Sequence, residues 1–178
     1  SYLLEYSNPE SGLVADTSRA GSPCSIAVMG FALSCYPIGV KNGWLSRVEA
    51  VNRTLAALRF FARSEQSEQP DATGYKGFYY HFLDMKTGRR AWNCELSTID
   101  SAFLLAGMLM CATYFDADTP EEAEVRRLAD ELYARVDWQW AMNKGPAGSH
   151  GWRPESGFIP HYWKGYDEAL LVYILGLG

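Results

Sequence analysis

The sequence predicts an all-α fold built from repeated helix pairs, with β-hairpin or loop insertions between the pairs. Three features predict it. Uncharged apolar segments alternate with amphipathic ones, capping signals precede them, and the order recurs with a period of about 70 residues. The chain has 178 residues, of which 48% are apolar and 21% charged, so it can bury a sizeable core.

The first pair is predicted from two helix starts. Ser22-Pro23 combines a capping hydroxyl with a proline suited to a first turn, and residues 26–35 are apolar on every side, as in an interior helix. Pro37, Gly39 and Gly43 are expected to end it. Ser46-Arg-Val-Glu49 is a capping box that opens an amphipathic outer helix. Its predicted inner stripe is Leu45, Val48, Val51, Leu55, Leu58 and Ala62.

The connection that follows is predicted to contain a β-hairpin, with a turn at residues 84–88 between aromatic-rich segments. The order then repeats. Ser97-Thr98 can cap an inner helix that runs to about residue 115, and Thr119-Pro-Glu-Glu122 opens a second outer helix. A third apolar helix is expected from Asp167 onward.

An apolar helix such as 167–176 is stable in water only when other helices cover it. We therefore expect residues 1–178 to form a single partial domain. A missing C-terminal half of the same fold, in this chain or in a second one, would complete it.

Composition narrows the class of partner. The net charge of -5 provides no basic surface for nucleic acid. The longest uncharged stretch, residues 20–40, is interrupted by Pro23 and Pro37, which argues against a membrane span. The four cysteines lack metal-ligand spacing and are expected to be mainly buried free thiols. The histidines also lack ligand spacing, so we expect no metal site, and no cofactor motif is present.

The candidate catalytic residues lie where the inner helices begin. Asp100 is placed in the first turn of the second inner helix and Glu168 in that of the third. Helix N-termini favour anionic side chains and polar ligands, and two carboxylates in one cleft are what glycosidic bond cleavage requires. The spacing equally allows that both acids merely cap their helices.

Aromatic and charged residues crowd the connection before the third inner helix. Aromatic faces beside arginine and carboxylates are typical of a sugar-binding surface, although each ring could instead pack within the loop. The predicted substrate-binding residues, including three from earlier loops, are Asp16, Arg19, Glu95, Trp152, Arg153, Glu155, Tyr162, Trp163 and Tyr166.

Several blocks spanning essentially the whole chain resemble one known family. They include Tyr6-Ser-Asn-Pro-Glu-Ser-Gly-Leu-Val-Ala-Asp16, Gly77-Phe-Tyr-Tyr-His-Phe-Leu-Asp84, Glu95-Leu-Ser-Thr-Ile-Asp100 and Gly165-Tyr-Asp-Glu-Ala-Leu170. The sequence is similar to the bacterial glycoamylase-like family, which is related to endo-β-1,2-glucanases and to domains of cyclic β-1,2-glucan synthases.

The resemblance implies an (α/α)6 toroid of which this chain is the N-terminal half, acting on glucans by hydrolysis or transglycosylation without a cofactor. It implies catalytic acids at positions matching Asp100 and Glu168, with Glu168 as general acid. The β-1,2-glucanase branch carries a further acid at the position of Ser97, and this departure leaves the linkage and the base open. The family favours a periplasmic or extracellular location, although the polar start of the sequence shows no signal peptide.

Other functions stay open. The same scaffold could be a non-catalytic glycan-binding module, or it could host a transglycosylase, lyase or epimerase. A purely structural helical repeat is the remaining alternative.

Overall fold

The computed structural model describes residues 2–178. Within that range, five longer helices are joined by loops that contain short strands and two single-turn helices. The helices are α1 (Tyr2–Glu5), α2 (Ile26–Lys41), α3 (Arg47–Arg63), α4 (Thr98–Tyr114), α5 (Pro120–Ala134), α6 (Trp138–Ala141) and α7 (Leu170–Leu177). The strands are β1 (Cys24–Ser25), β2 (Gly74–Tyr75), β3 (Phe78–Tyr80), β4 (Phe82–Leu83), β5 (Leu96–Ser97), β6 (Gly151–Arg153) and β7 (Gly157–Phe158).

The predicted helix pairs are confirmed. The apolar helices α2, α4 and α7 lie side by side in that order, while the amphipathic helices α3 and α5 pack on their outside. The backbones of α2 and α4 approach each other closely at Gly30. A Cβ built on this glycine would lie 2.2 Å from the carbonyl oxygen of Phe103. The outer helices are joined by Arg47, whose Nε donates to the buried carboxylate of Glu122 at 2.7 Å.

Three predicted caps are confirmed. The hydroxyls of Ser46, Ser97 and Thr119 accept hydrogen bonds from the backbone amide three residues later, at 3.2, 3.2 and 3.3 Å. Each hydroxyl thereby satisfies an amide that has no partner within its helix. The predicted stripe of α3 is correct except at Val48, which is 72% exposed.

The predicted helix start at Ser22-Pro23 is wrong. Cys24 and Ser25 instead form β1, which pairs with Leu83 and Phe82 of β4, so the helix begins at Ile26. Pairing with a distant strand outweighed the local capping signal.

The predicted end of this helix is correct only at Gly43, which follows Lys41 and the cap residue Asn42, because Pro37 and Gly39 lie inside α2. Proline has no N–H to donate to the carbonyl four residues earlier, which belongs to Leu33. The thiol of Cys111 on α4 contacts that carbonyl oxygen at 3.1 Å and so replaces the lost donor.

The fold is not purely α-helical, which corrects the all-α prediction. The strands form a two-stranded sheet, β1-β4, and a five-stranded antiparallel sheet, β2-β3-β5-β6-β7. The predicted turn at 84–88 is present, with the Gly88 amide donating to the Asp84 carbonyl at 2.8 Å. Its flanks do not form a continuous hairpin, because β3 and β4 pair with other strands and only Leu83 bridges to Arg90.

The third apolar helix begins three residues later than predicted. The Asp167 carboxylate accepts a hydrogen bond from the Ala169 amide at 2.9 Å, which fixes residues 167–169 as a turn before α7. Buried side chains from Leu13 to Leu175 pack into one core cluster. No helix between residues 2 and 178 has both the length and the apolar character that a membrane crossing requires.

Candidate active site

The beginnings of α2 and α4 are brought together by short strands. β1 leads directly into α2, and β5 leads directly into α4. His81 lies between them, since its carbonyl accepts from the Ile26 amide at 3.0 Å and its amide donates to the Glu95 carbonyl at 2.9 Å. The N-terminal ends of two inner helices and the His81 side chain therefore share one region.

Four ionisable side chains meet there with one hydroxyl. We call His81, Glu95, Ser97, Asp100 and Arg153 the carboxylate cluster. Nδ1 of His81 lies 2.9 Å from Oε1 of Glu95, and Nε2 lies 3.7 Å from Oδ2 of Asp100. Ser97 Oγ hydrogen-bonds the Asp100 carboxylate, and a guanidinium nitrogen of Arg153 lies 3.5 Å from Oε2 of Glu95. The Asp100 side chain is 13% exposed, so its position is well defined by these contacts.

The cluster favours ionised forms of two of its members. Burial alone would lower the pKa of His81, but the hydrogen bond to Glu95 and the charges of Asp100, Glu95 and Asp16 raise it. The hydrogen bond from His81 lowers the pKa of Glu95 to about 2, against the opposing effect of burial. The imidazole is therefore held between two carboxylates that favour its protonated form.

The predicted loop residues lie at different depths. Asp16 is half-buried before β1, where its backbone amide donates to the Pro23 carbonyl at 2.8 Å, and its charge acts on His81. Arg19 lies on the exposed turn between Asp16 and β1. Glu95 and Arg153 are both in the carboxylate cluster.

Four predicted sugar-binding residues make intramolecular contacts. The Trp152 ring packs 5.2 Å from that of Tyr75, and Glu155 pairs with Arg90 at 2.6 Å. The indole N–H of Trp163 donates to Thr98 Oγ1 at 2.9 Å, and the Tyr162 hydroxyl contacts Asn143 at 3.3 Å.

Glu168 and Tyr166 are accessible. Both are exposed in the segment that leads into α7, and Tyr166 is 89% exposed. The Trp163–Thr98 hydrogen bond ties the start of this segment to the first residue of α4. The approach of Glu168 to Asp100 in one cleft stays a prediction.

Two residues of this region were missed from the sequence. His81 has no partner at motif spacing, because β-pairing rather than sequence proximity sets it against Asp100. Trp92 is not among the predicted substrate-binding residues, although its side chain is 71% exposed beside Phe82. The position of His81 at the end of an aromatic strand was the one available signal. Among residues 2–178, no group of three potential ligands is arranged to hold a metal ion.

Comparison with known proteins finds similarity to enzymes named for their action on glucans and to glucoamylase-like structures. A curated relative from Parabacteroides distasonis, an exo-β-1,2-glucooligosaccharide sophorohydrolase, is 24% identical over 185 aligned positions, which cover 99% of this chain. A solved structure from Bacteroides uniformis, described as a putative glucoamylase, superposes with a TM-score of 0.87 at 26% identity over 98% of this chain. The predicted resemblance is confirmed.

The same fold is found in a solved structure of lower identity. An endo-β-1,2-glucanase from Chitinophaga pinensis, solved with sophorotriose and glucose, has a TM-score of 0.81 at 19% identity. The chain spans 24% of the curated relative, 42% of the Bacteroides uniformis structure and 43% of the Chitinophaga pinensis structure. No protein-family model matches the chain.

Proposed function

We propose that the chain is the N-terminal half of an (α/α)6 toroid in a glycoside hydrolase that acts on a glucan. The relatives named for β-1,2-glucan hydrolysis support the substrate class, and β-1,2-linked glucans are the first substrates to test. The exposed apolar side chains of the inner helices support the half-ring. Phe31, Ile38 and Ile174 are 54%, 46% and 58% exposed, which is unfavourable unless further helices cover them.

The reaction uses two carboxyl groups. Glu168 is the general acid: it donates its proton to the glycosidic oxygen as the bond from that oxygen to the anomeric carbon breaks. Asp100 is the second carboxylate. It accepts a proton from the attacking water, or it holds the sugar in position for attack.

The observation that carries this proposal is the environment of Asp100. Its carboxylate stands at the N-terminal end of an inner helix, held by Ser97 and faced by His81. The N-terminal end of a helix is a favourable place for an anionic side chain. A carboxylate with a fixed orientation suits a base better than a freely rotating surface acid does.

The test is a product screen of the full-length protein on β-1,2-, β-1,3- and α-1,4-glucans. On the substrate that is cleaved, Glu168→Gln and Asp100→Asn should each lower kcat by roughly 10²- to 10⁴-fold, the usual size of acid–base catalysis. Asp130→Asn is the matched control, because Asp130 is an exposed acid on the outer helix α5.

Wild-type activity in Glu168→Gln would overturn the acid assignment. Sugar binding without turnover by the wild type would identify a glycan-binding module instead. In a structure of the full-length protein, carboxyl groups about 6.5–9.5 Å apart would indicate inversion, and about 5–5.5 Å retention.

A further inference from the structure

Trp92 presents its indole to solvent next to the carboxylate cluster. Its ring centroid lies 5.2 Å from that of Phe82, and the Phe82 ring stacks on His81 at 4.0 Å with an angle of 11° between the planes. On its other side, His81 approaches Asp100, with Nε2 of the imidazole 3.7 Å from Oδ2 of the carboxylate. Three rings thus run from solvent to the proposed second carboxylate.

The backbone that carries this indole is strained. Trp92 and Asn93 have φ angles of 57° and 50°, in the left-handed region that bulky side chains rarely adopt. Strain of this kind persists only where surrounding contacts fix the conformation, and such positions cluster at functional sites.

A buried arginine fixes the strained turn. The side chain of Arg90 is 1% exposed, and its guanidinium donates to the carbonyl oxygens of Asn93 at 2.9 Å and Cys94 at 2.6 Å. Glu155 supplies the counter-charge to Arg90 at 2.6 Å. A charged pair and two hydrogen bonds therefore hold an exposed indole in a conformation that it would otherwise avoid.

We propose that Trp92 is a sugar-stacking platform, a subsite that binds a glucose unit of the glucan chain away from the bond that is cleaved. The inference rests on the proposed function for its ligand. A pyranose ring has an apolar face of C–H groups that packs against an indole, and a rigid ring loses little conformational entropy on binding. Glu155 and Arg90 are positioning residues that act through the turn.

The platform predicts a dependence on substrate length. A short oligosaccharide can occupy the cleavage site without reaching Trp92, whereas a longer one can touch both. Removing the indole should therefore weaken the binding of long substrates and leave short ones nearly unchanged.

The experiment compares Trp92→Gly, Trp92→Phe and Trp44→Gly in the full-length protein. Glycine suits the left-handed backbone at position 92, so that variant loses the ring without new strain. Trp44 is the matched control: it is 76% exposed and follows the opposite end of α2. KM is measured on linear β-1,2-glucooligosaccharides from sophorotriose upward.

Trp92→Gly should raise KM about 3- to 10-fold for long oligosaccharides, as expected for loss of one aromatic contact, with little change for sophorotriose. Trp92→Phe should recover part of the loss, and Trp44→Gly should behave like the wild type. Equal KM values for Trp92→Gly and wild type along the whole series would overturn the platform.

Binding is also measured without turnover, by tryptophan emission of the Glu168→Gln protein titrated with the same oligosaccharides. Adding Trp92→Phe should remove most of the emission change. If the wild type cleaves no glucan but this emission change depends on Trp92, the proposed hydrolysis fails and the platform stands. If the wild type is active and the emission change survives Trp92→Phe, the platform alone fails.

Discussion

The imidazole of His81 and the carboxylate of Glu95 are joined by a hydrogen bond of 2.9 Å. The two residues come from different loops, and the pair lies between the N-terminal ends of two inner helices. The hydrogen bond raises the pKa of His81 and lowers that of Glu95. The pair should therefore affect the pH dependence of both stability and activity.

Glu95 should control acid stability. Its pKa is about 2 in the folded protein against an ordinary value of 4.5, so its contribution is present above pH 4.5 and is lost as the pH falls toward 2. Glu95→Gln does not titrate and should lack up to about 3 kcal/mol of this pH-dependent change in unfolding free energy. Denaturant unfolding of the full-length protein at several pH values measures it. Glu10→Gln, at an exposed acid, should follow the wild-type curve; a Glu95→Gln curve parallel to wild type would contradict the assignment.

His81 should support activity at acidic pH through its positive charge. Its pKa is raised above 6.5, so its positive charge is present below 6.5 and is lost as the pH rises through the raised value. His81→Gln should lower kcat roughly tenfold at low pH, the effect of about 1.4 kcal/mol, with KM little changed. The deficit should narrow at alkaline pH, where wild-type His81 is neutral as well.

The control for this pH profile is His161→Gln, because His161 is an exposed histidine in the loop before α7. A deficit in His81→Gln that is constant over the whole pH range would mean that the side chain acts by packing rather than by charge.

Local signals predicted the helix pairs and identified Asp100, Glu95 and Arg153 as candidates, but they did not predict the approach of His81 to the two acids. A cap needs only a hydroxyl and an amide three residues later, so Ser46, Ser97 and Thr119 could be identified directly. The donor that lets α2 continue through Pro37 lies on another helix, at Cys111, and no local pattern contains it. Strands of two or three residues carry almost no alternation, and the approach of His81 to Asp100 depends on their pairing.

The crossing of α2 and α4 should tolerate no side chain at Gly30. A Cβ there would lie 2.2 Å from the Phe103 carbonyl oxygen, so Gly30→Ala should force the helices apart and lower the unfolding free energy by about 1–3 kcal/mol or more. Gly39→Ala in the same helix is the control. Its Cβ would meet Leu45 at 3.4 Å, and alanine favours helix by about 0.5–1 kcal/mol. Equal stability of the two variants in chemical denaturation would contradict the close packing.

The half-ring can be tested at Cys35. Its side chain is exposed on α2, one turn from Phe31 and near Ile38, which are also exposed. If further helices of the full-length protein cover this face, Cys35 should be protected there from a thiol reagent. The other three cysteines are buried, and burial raises the pKa values of Cys24 and Cys111 to about 12, so these thiols should also stay unmodified until unfolding.

A cysteine introduced at Asp130 on the outer helix α5 supplies the positive control, since that position is exposed in the half-ring and would stay exposed in a complete one. Mass spectrometry after brief labelling separates the sites. Labelling at residue 130 with protection at Cys35 is expected, because a ring buries its inner helices and leaves its outer ones in water. Equal labelling at both would mean that nothing covers the face of α2, and the toroid proposal would fail while the Asp100 environment remained to be explained in another way.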